Sequence, residues 1–184
     1  QGGVVKWNAP TGKFERLITP QPIDGLSYAN PWHMYEDHSG KVWVAYSGGG
    51  LVAMSADGKT VLNHYHSFNT TRMSNDIWCV QSDAANQIWF GSYGQGLFRL
   101  NSATGYVENY YNDNTDRFSL PNNEVLSLYN DRQGLMWVGT LGGGVTNFQP
   151  TGSSFLHYGT SGARQRLSSP MVMSILADED LLYV

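Results

Sequence analysis

"LMWVGTLGGGV" occupies residues 135–145. It sets one indole, Trp137, before eight residues of which five are Gly or Thr. Taken alone, the run invites comparison with a phosphate-binding loop. Such a loop needs a Lys-Ser/Thr pair and a following helix, and neither follows here. The stretch instead recurs. "KVWVAYSGGGLVAM" begins at Lys41, "QIWFGSYGQGLFRL" at Gln87 and "LMWVGTLGGGVTNF" at Leu135. The tryptophans, Trp43, Trp89 and Trp137, are spaced by 46 and 48 residues.

Other markers keep the same period. An Asp stands six residues before each Trp, at Asp37, Asp83 and Asp131, and three residues after each Asp comes Gly40, Asn86 or Gly134. Leu26, Met73, Leu120 and Leu167 follow one another at intervals of 47. An apolar-aromatic tetrad closes each unit, as in "VENY" ending at Tyr110 and "FLHY" ending at Tyr158. The ends fit the register too. "GGVVKW" from Gly2 matches "GGLVAM" from Gly49, and "MVMSILADEDLLYV" from Met171 matches "EVLSLYNDRQGLMWV" from Glu124 with a shorter turn. The chain therefore reads as approximate units 26–72, 73–119 and 120–166. Residues 1–25 supply a second half-unit before them and 167–184 a first half-unit after.

Each unit reads as four short strands. Their apolar, β-branched and aromatic runs are bounded by turn residues. The Asp-x-x-Gly turn joins strands one and two: Asp hydrogen-bonds the backbone just after it, and Gly or Asn supplies a positive φ. The glycines after the Trp are expected to turn the chain from strand two to strand three, with a positive φ at Gly143. No segment sustains a 3.6-residue period, so almost no helix is expected. Four-stranded units of this length in tandem are the signature of β-propeller blades. Sixteen strands make four blades. Such a set is either a small ring, closed by one blade shared between the two chain ends, or a fragment of a larger propeller.

Composition agrees with this all-β reading and excludes other classes. The 184 residues suffice for one domain with a sizeable core. Charged residues are 14%, aromatics 13%, and glycines number 21, a mixture that suits short strands and tight turns. The net charge of −4 offers no basic field to nucleic acid. No apolar run approaches the length of a membrane-spanning helix. The one cysteine, Cys79, excludes an internal disulfide.

Leu-Pro-Asn-Asn, then Asp131-x-x-Gly-x-x-Trp-Val-Gly-Thr, then Gly-Gly and an aromatic tetrad resembles the two-component regulator propeller repeat. The resemblance covers essentially the whole chain and is closest over Leu120–Tyr158. "WVAYS" at Trp43 and a Tyr at 183 depart from it. It implies the periplasmic sensor region of a hybrid two-component system of the Bacteroidetes type, responding to a carbohydrate-derived signal. It also implies a larger receptor, with two seven-bladed propellers, a β-sandwich, a membrane helix and a kinase. The motif marks scaffold rather than ligand.

In a propeller, the loops before strand one and between strands two and three share one face. Variable loops on a rigid scaffold are the usual place for binding. Trp32, His33, Trp78 and Tyr93 are the aromatics expected near this face, with Asn75, Asn122 and Asn123 as ligand-binding neighbours. Arg72, Arg117 and Glu124 are polar residues close by. Such a mixture suits sugars, whose CH faces stack on rings while their hydroxyls hydrogen-bond. Tyr46 and Leu141 vary in the same turn as Tyr93. Trp43, Trp89, Trp137 and Tyr183 are assigned to the blade core.

The sequence names no catalytic residue, metal ligand or cofactor. "DNTD" at Asp113–Asp116 lacks the Gly and the terminal Glu of a calcium loop. His64 and His157 occupy matching positions on the blade rim. The expected function is a non-enzymatic sensor module that binds an oligosaccharide. An alternative is a propeller enzyme, a lyase or glycoside hydrolase, in which Glu36, His33, Asp76 and Glu124 would converge. A third is an association scaffold, engaging a second copy or neighbouring blades.

Overall fold

The computed structural model describes residues 4–16, 30–66, 74–152, 154–160, 167–178 and 181–184. Leu26, Met73 and Arg72, and parts of the loops around them, lie outside these residues. No described residue is helical; the described residues form sixteen strands. The first half-unit is β1 (Val5–Asn8) and β2 (Lys13–Arg16). The first full blade is β3 (Asn30–Glu36), β4 (Val42–Ser47), β5 (Gly50–Met54) and β6 (Val61–Tyr65). The second is β7 (Ile77–Ser82), β8 (Ile88–Ser92), β9 (Leu97–Leu100) and β10 (Val107–Tyr110). The third is β11 (Val125–Asn130), β12 (Met136–Thr140), β13 (Val145–Phe148) and β14 (Leu156–Tyr158), and β15 (Leu176–Asp178) and β16 (Leu181–Tyr183) close the chain. Each full blade is an antiparallel meander in chain order.

The middle strands are apolar without clear alternation because both of their faces are buried. Ile88 and Phe90 of β8 join Trp43, Leu51 and Ala53 of the first blade. Trp89, between them, points the other way, to Val125, Val138 and Phe148 of the third blade. The same period of two puts Val52 and Met54 against Val4, and Leu51 and Ala53 against the second blade. Val145 and Trp137 pack on Val172, Ile175 and Leu182. Each full blade thus shares a buried apolar layer with the next.

The blade shared between the chain ends does not form: among the described residues β1 pairs with β2 alone and β15 with β16 alone. Beside the first blade only Val4, just before β1, is buried against it, while on the other side Leu182 of β16 packs on the third blade with Val172 and Ile175. Tyr183, expected in the core, is 53% exposed. On β16 the alternation turns Leu182 inward, and Leu181 and Tyr183 to the outer face, which no described element covers.

Two backbone devices recur. The Asp turn closes with Gly40, Asn86 or Gly134 at positive φ, as expected. Strand one of every full blade also slips register at one residue, between Pro31 and His33, Ile77 and Cys79, and Val125 and Ser127. Such a bulge re-aims the extra side chain. The bulged residues are Trp32, Trp78 and Leu126.

Candidate functional site

The bulges assemble the site. Trp32 and Trp78 project from equivalent positions of successive blades and stack, with ring centroids 4.8 Å apart and planes 14° from parallel. Tyr93 stacks on Trp78 at 5.3 Å and 20°. Its own backbone is held from both sides: its N–H donates to Asp76 O in its own blade, and it bridges Glu124 of the third. Trp32 reaches Trp78 from the preceding blade, and Tyr93 from the side of the following one. The three rings form a column. Ser47 occupies the position of Tyr93 in the first blade. Its small side chain leaves room for Trp32 to meet Trp78 directly.

The column is open to solvent, with Trp32 55% and Tyr93 43% exposed. Trp78 is half-buried between them, and its Nε1 donor is buried without an acceptor among the described residues. Asn122 and Asn123 lie beside Tyr93, because Asn123 O accepts from Gly94 and Gly96 of the same turn. Their side-chain oxygens are occupied: Asn122 Oδ1 accepts from Glu124 N and Asn123 Oδ1 from Asn112 N, both at 2.7 Å. The charged groups joined to this turn are the carboxylates of Asp76 and Glu124.

Other candidates serve the scaffold. The carbonyls of Asn75, Asn123 and Pro170 accept from Gly50, Gly96 and Gly144, each at 2.8 Å, latching each Gly-rich turn to the next blade. His33 Nδ1 accepts from Val80 N at 3.3 Å. Cys79 and Ser127, which hold the same position, donate to Val125 O and Val172 O of the following blade. His33 is therefore a blade-to-blade connector as well as a neighbour of Trp32. Burial lowers its pKa, and accepting at Nδ1 requires the neutral ring. Tyr46, placed by the sequence on the ligand side, is buried in the layer with Val4 and matches Ser92 and Thr140 instead. His64 Nε2 contacts Gly49 O, and His157 contacts Thr146 and Arg117 O. Arg117 itself packs its guanidinium over Phe118.

The residues of an enzyme reading do not share one place. Glu36 ends β3 at the Asp-turn face, while Asp76 and Glu124 precede β7 and β11 at the other face. Asp76 accepts from Ser47 Oγ and Gly48 N. Burial pushes the Cys79 thiol up to about 12, which makes it a poor nucleophile. A cleft of about 280 Å³ opens between the second and third blades, lined by Asp83, Gln87, Arg99, Gly134 and Gln149 among others. Its two charged side chains are committed, Asp83 to Trp89 Nε1 and Arg99 to Glu108 and Pro150 O.

One pairing escaped the sequence reading. In each turn Asp Oδ1 accepts from backbone N–H groups, and Oδ2 accepts from the indole Nε1 six residues on. The indole distances are 2.8 Å for Asp37–Trp43, 2.9 Å for Asp83–Trp89 and 2.8 Å for Asp131–Trp137. The constant spacing of Asp and Trp was the available signal.

With this geometry in place, the chain can be set beside known proteins. Residues 119–142 match the family model described as two component regulator propeller. The chain carries that repeat, on the Leu120 unit where the sequence resemblance is closest. Histidine kinase P4 of Formosa agariphila is 31% identical over 74 residues, which is 39% of this chain and 5% of that protein. The extracellular domain of the hybrid two component system BT3049 of B. thetaiotaomicron superposes with a TM-score of 0.71 at 22% identity, over 96% of this chain and 21% of that one. The corresponding domain of BT4673 gives 0.69 at 17% identity, over 96% of this chain and 29% of that one. A luciferin-regenerating enzyme gives 0.61 at 12% identity, over 89% of this chain and 54% of that one. These likenesses establish the propeller fold. The chain spans a small part of the kinase and less than a third of either receptor domain.

Proposed function

We propose that this chain is a stretch of the periplasmic, ligand-sensing propeller of a two-component receptor, and that the signal is carbohydrate-derived. The carrying observation is a division of labour within the repeat. Its regular positions go to the scaffold: the Asp–Trp pairs, the latched glycines and the residues after each bulge. Trp32 and Trp78, at the bulge position where the third blade has Leu126, and Tyr93, where the first blade has Ser47, meet on the face where a propeller collects its variable loops. Exposed rings beside amide and carboxylate groups suit a sugar. The repeat match and the fold shared with two receptor domains support the sensory role. Calorimetric titration with plant and host oligosaccharides tests it. At least one glycan is expected to release or absorb heat and to raise the melting temperature. A panel without either response would remove the carbohydrate reading.

A second reading, association, is favoured by the chain's two outer sheets. Leu176, Leu181 and Tyr183 are exposed on one, and Val5, Trp7 and Phe14 on the other. These surfaces suit a second copy or further blades.

A further inference from the structure

We propose that the Trp32–Trp78–Tyr93 column is a stacking subsite for an uncharged pyranose ring, and that the carboxylates beside it select against acidic sugars. This rests on the carbohydrate reading above and specifies where and which sugar. Trp32 offers a ring with one face on Trp78 and more than half its surface in solvent. A second Trp behind it fixes its orientation. A pyranose can therefore stack on an ordered surface and lose little side-chain entropy.

The polar rim supplies selectivity. Glu124 is tied by its backbone to Tyr93, and its carboxylate makes no hydrogen bond among the described residues. Asp76 is tied to Tyr93 by the Tyr93 N–H and faces the Ser47 turn. Two carboxylates accept well from sugar hydroxyls but repel a uronate or a sulfate. The Asn122 and Asn123 amides, whose oxygens are occupied, have N–H groups left to donate. Trp78 Nε1 is a further donor at the column, buried without an acceptor among the described residues, and such a group is costly to leave unpaired.

The test uses the whole chain and pairs of oligosaccharides matched in length. Cellotetraose and mannotetraose serve as neutral probes; oligogalacturonate and a heparin tetrasaccharide serve as acidic ones. Tryptophan fluorescence and calorimetry read binding. The neutral probe that binds best is expected to lose affinity by about tenfold or more in Trp32→Ala, an effect of about 1.4 kcal/mol. Tyr93→Ala is expected to act in the same direction. Both rings are largely exposed, so the melting temperature should stay near that of the parent, and folding loss is separated from binding loss. Glu124→Gln is expected to strengthen the acidic probes relative to the neutral ones. Neutral binding that survives both aromatic substitutions would overturn the subsite while leaving the sensory reading intact. Acidic probes that bind the parent as tightly as neutral ones would overturn the selectivity. Binding by no probe would remove the carbohydrate reading itself.

Discussion

Trp43, Trp89 and Trp137 hold one position of the repeat, yet they differ in what lies beyond them. Trp43 and Trp89 face a full blade and are 1% and 0% exposed. Trp137 faces the half-sheet β15–β16 and is only half-buried. Truncating Trp89 to Ala is expected to cost about 3–5 kcal/mol, and truncating Trp137 to cost less. Trp89→Phe separates packing from polarity. It keeps an aromatic ring but leaves buried Asp83 Oδ2 without its donor, at about 1–3 kcal/mol. Urea unfolding measures all three; equal costs at 89 and 137 would contradict the blade-layer account. The acid member of the pair titrates. Burial would raise the Asp37 pKa, but hydrogen bonds from Ser39, Trp43 and Lys41 outweigh it and hold the carboxyl below its ordinary value. Its contribution is therefore complete above the unfolded pKa of about 3.9 and is lost as pH falls through the lower folded value. The stability gap between the parent and Asp37→Asn should shrink from about pH 7 to about pH 2. A gap that does not change with pH would mean that the carboxylate charge is not what stabilises the turn.

At the scale of the strand and turn, the glycines divide into two uses. Gly144 takes a φ of 75° and latches to Pro170 O. Gly143 was expected to need a positive φ, but it does not take one. Space limits it instead: an added Cβ would sit 2.7 Å from Thr140 Oγ1 and 3.0 Å from the Cβ atoms of Asn122 and Pro121. Gly91 and Gly139 are also spatial. They lie mid-strand, opposite the residue after the bulge, where the next blade's first strand comes close. A Cβ on Gly139 would meet Ser127 Oγ, and Val172 Cγ1 at 2.7 Å. Gly139→Ala is accordingly expected to destabilise by about 1–3 kcal/mol. The first blade has Ala45 at this place and buries it fully, so the effect depends on the facing blade. A thermal melt of Gly139→Ala that matches the parent would refute the close approach.

In the whole molecule each full blade buries its two faces on what lies beside it in the chain. Stability in such arrays resides in nearest-neighbour layers. The two outer layers are the weak ones, because their outward faces carry Leu181, Tyr183, Trp7 and Phe14 to solvent. β1 and β16 also carry edges unpaired among the described residues, and such edges invite pairing. Light scattering is expected to show a mass above that of one chain, rising with concentration. A single-chain mass across the range would count against the association reading.

The sequence by itself determined the repeat, its four strands, its turns and the fold class. Those features depend on local chemistry: the short apolar, β-branched and aromatic runs, the Asp-x-x-Gly turn and one Trp per unit. It also named Trp32, Trp78 and Tyr93 as aromatics near the loop-bearing face, and Trp32 and Tyr93 stood out because a residue that departs from its own repeat is visible without coordinates. Only the tertiary structure decided how these residues are used. It stacked the three rings into one column, since bulges and blade-to-blade spacing are not local properties. It assigned His33 and the carbonyls of Asn75 and Asn123 to the scaffold, buried Tyr46 and exposed Tyr183. In each case the deciding fact was the blade that faces the residue, or the lack of a described one, and a repeat assigns the same residue position to all blades while leaving those neighbours unequal.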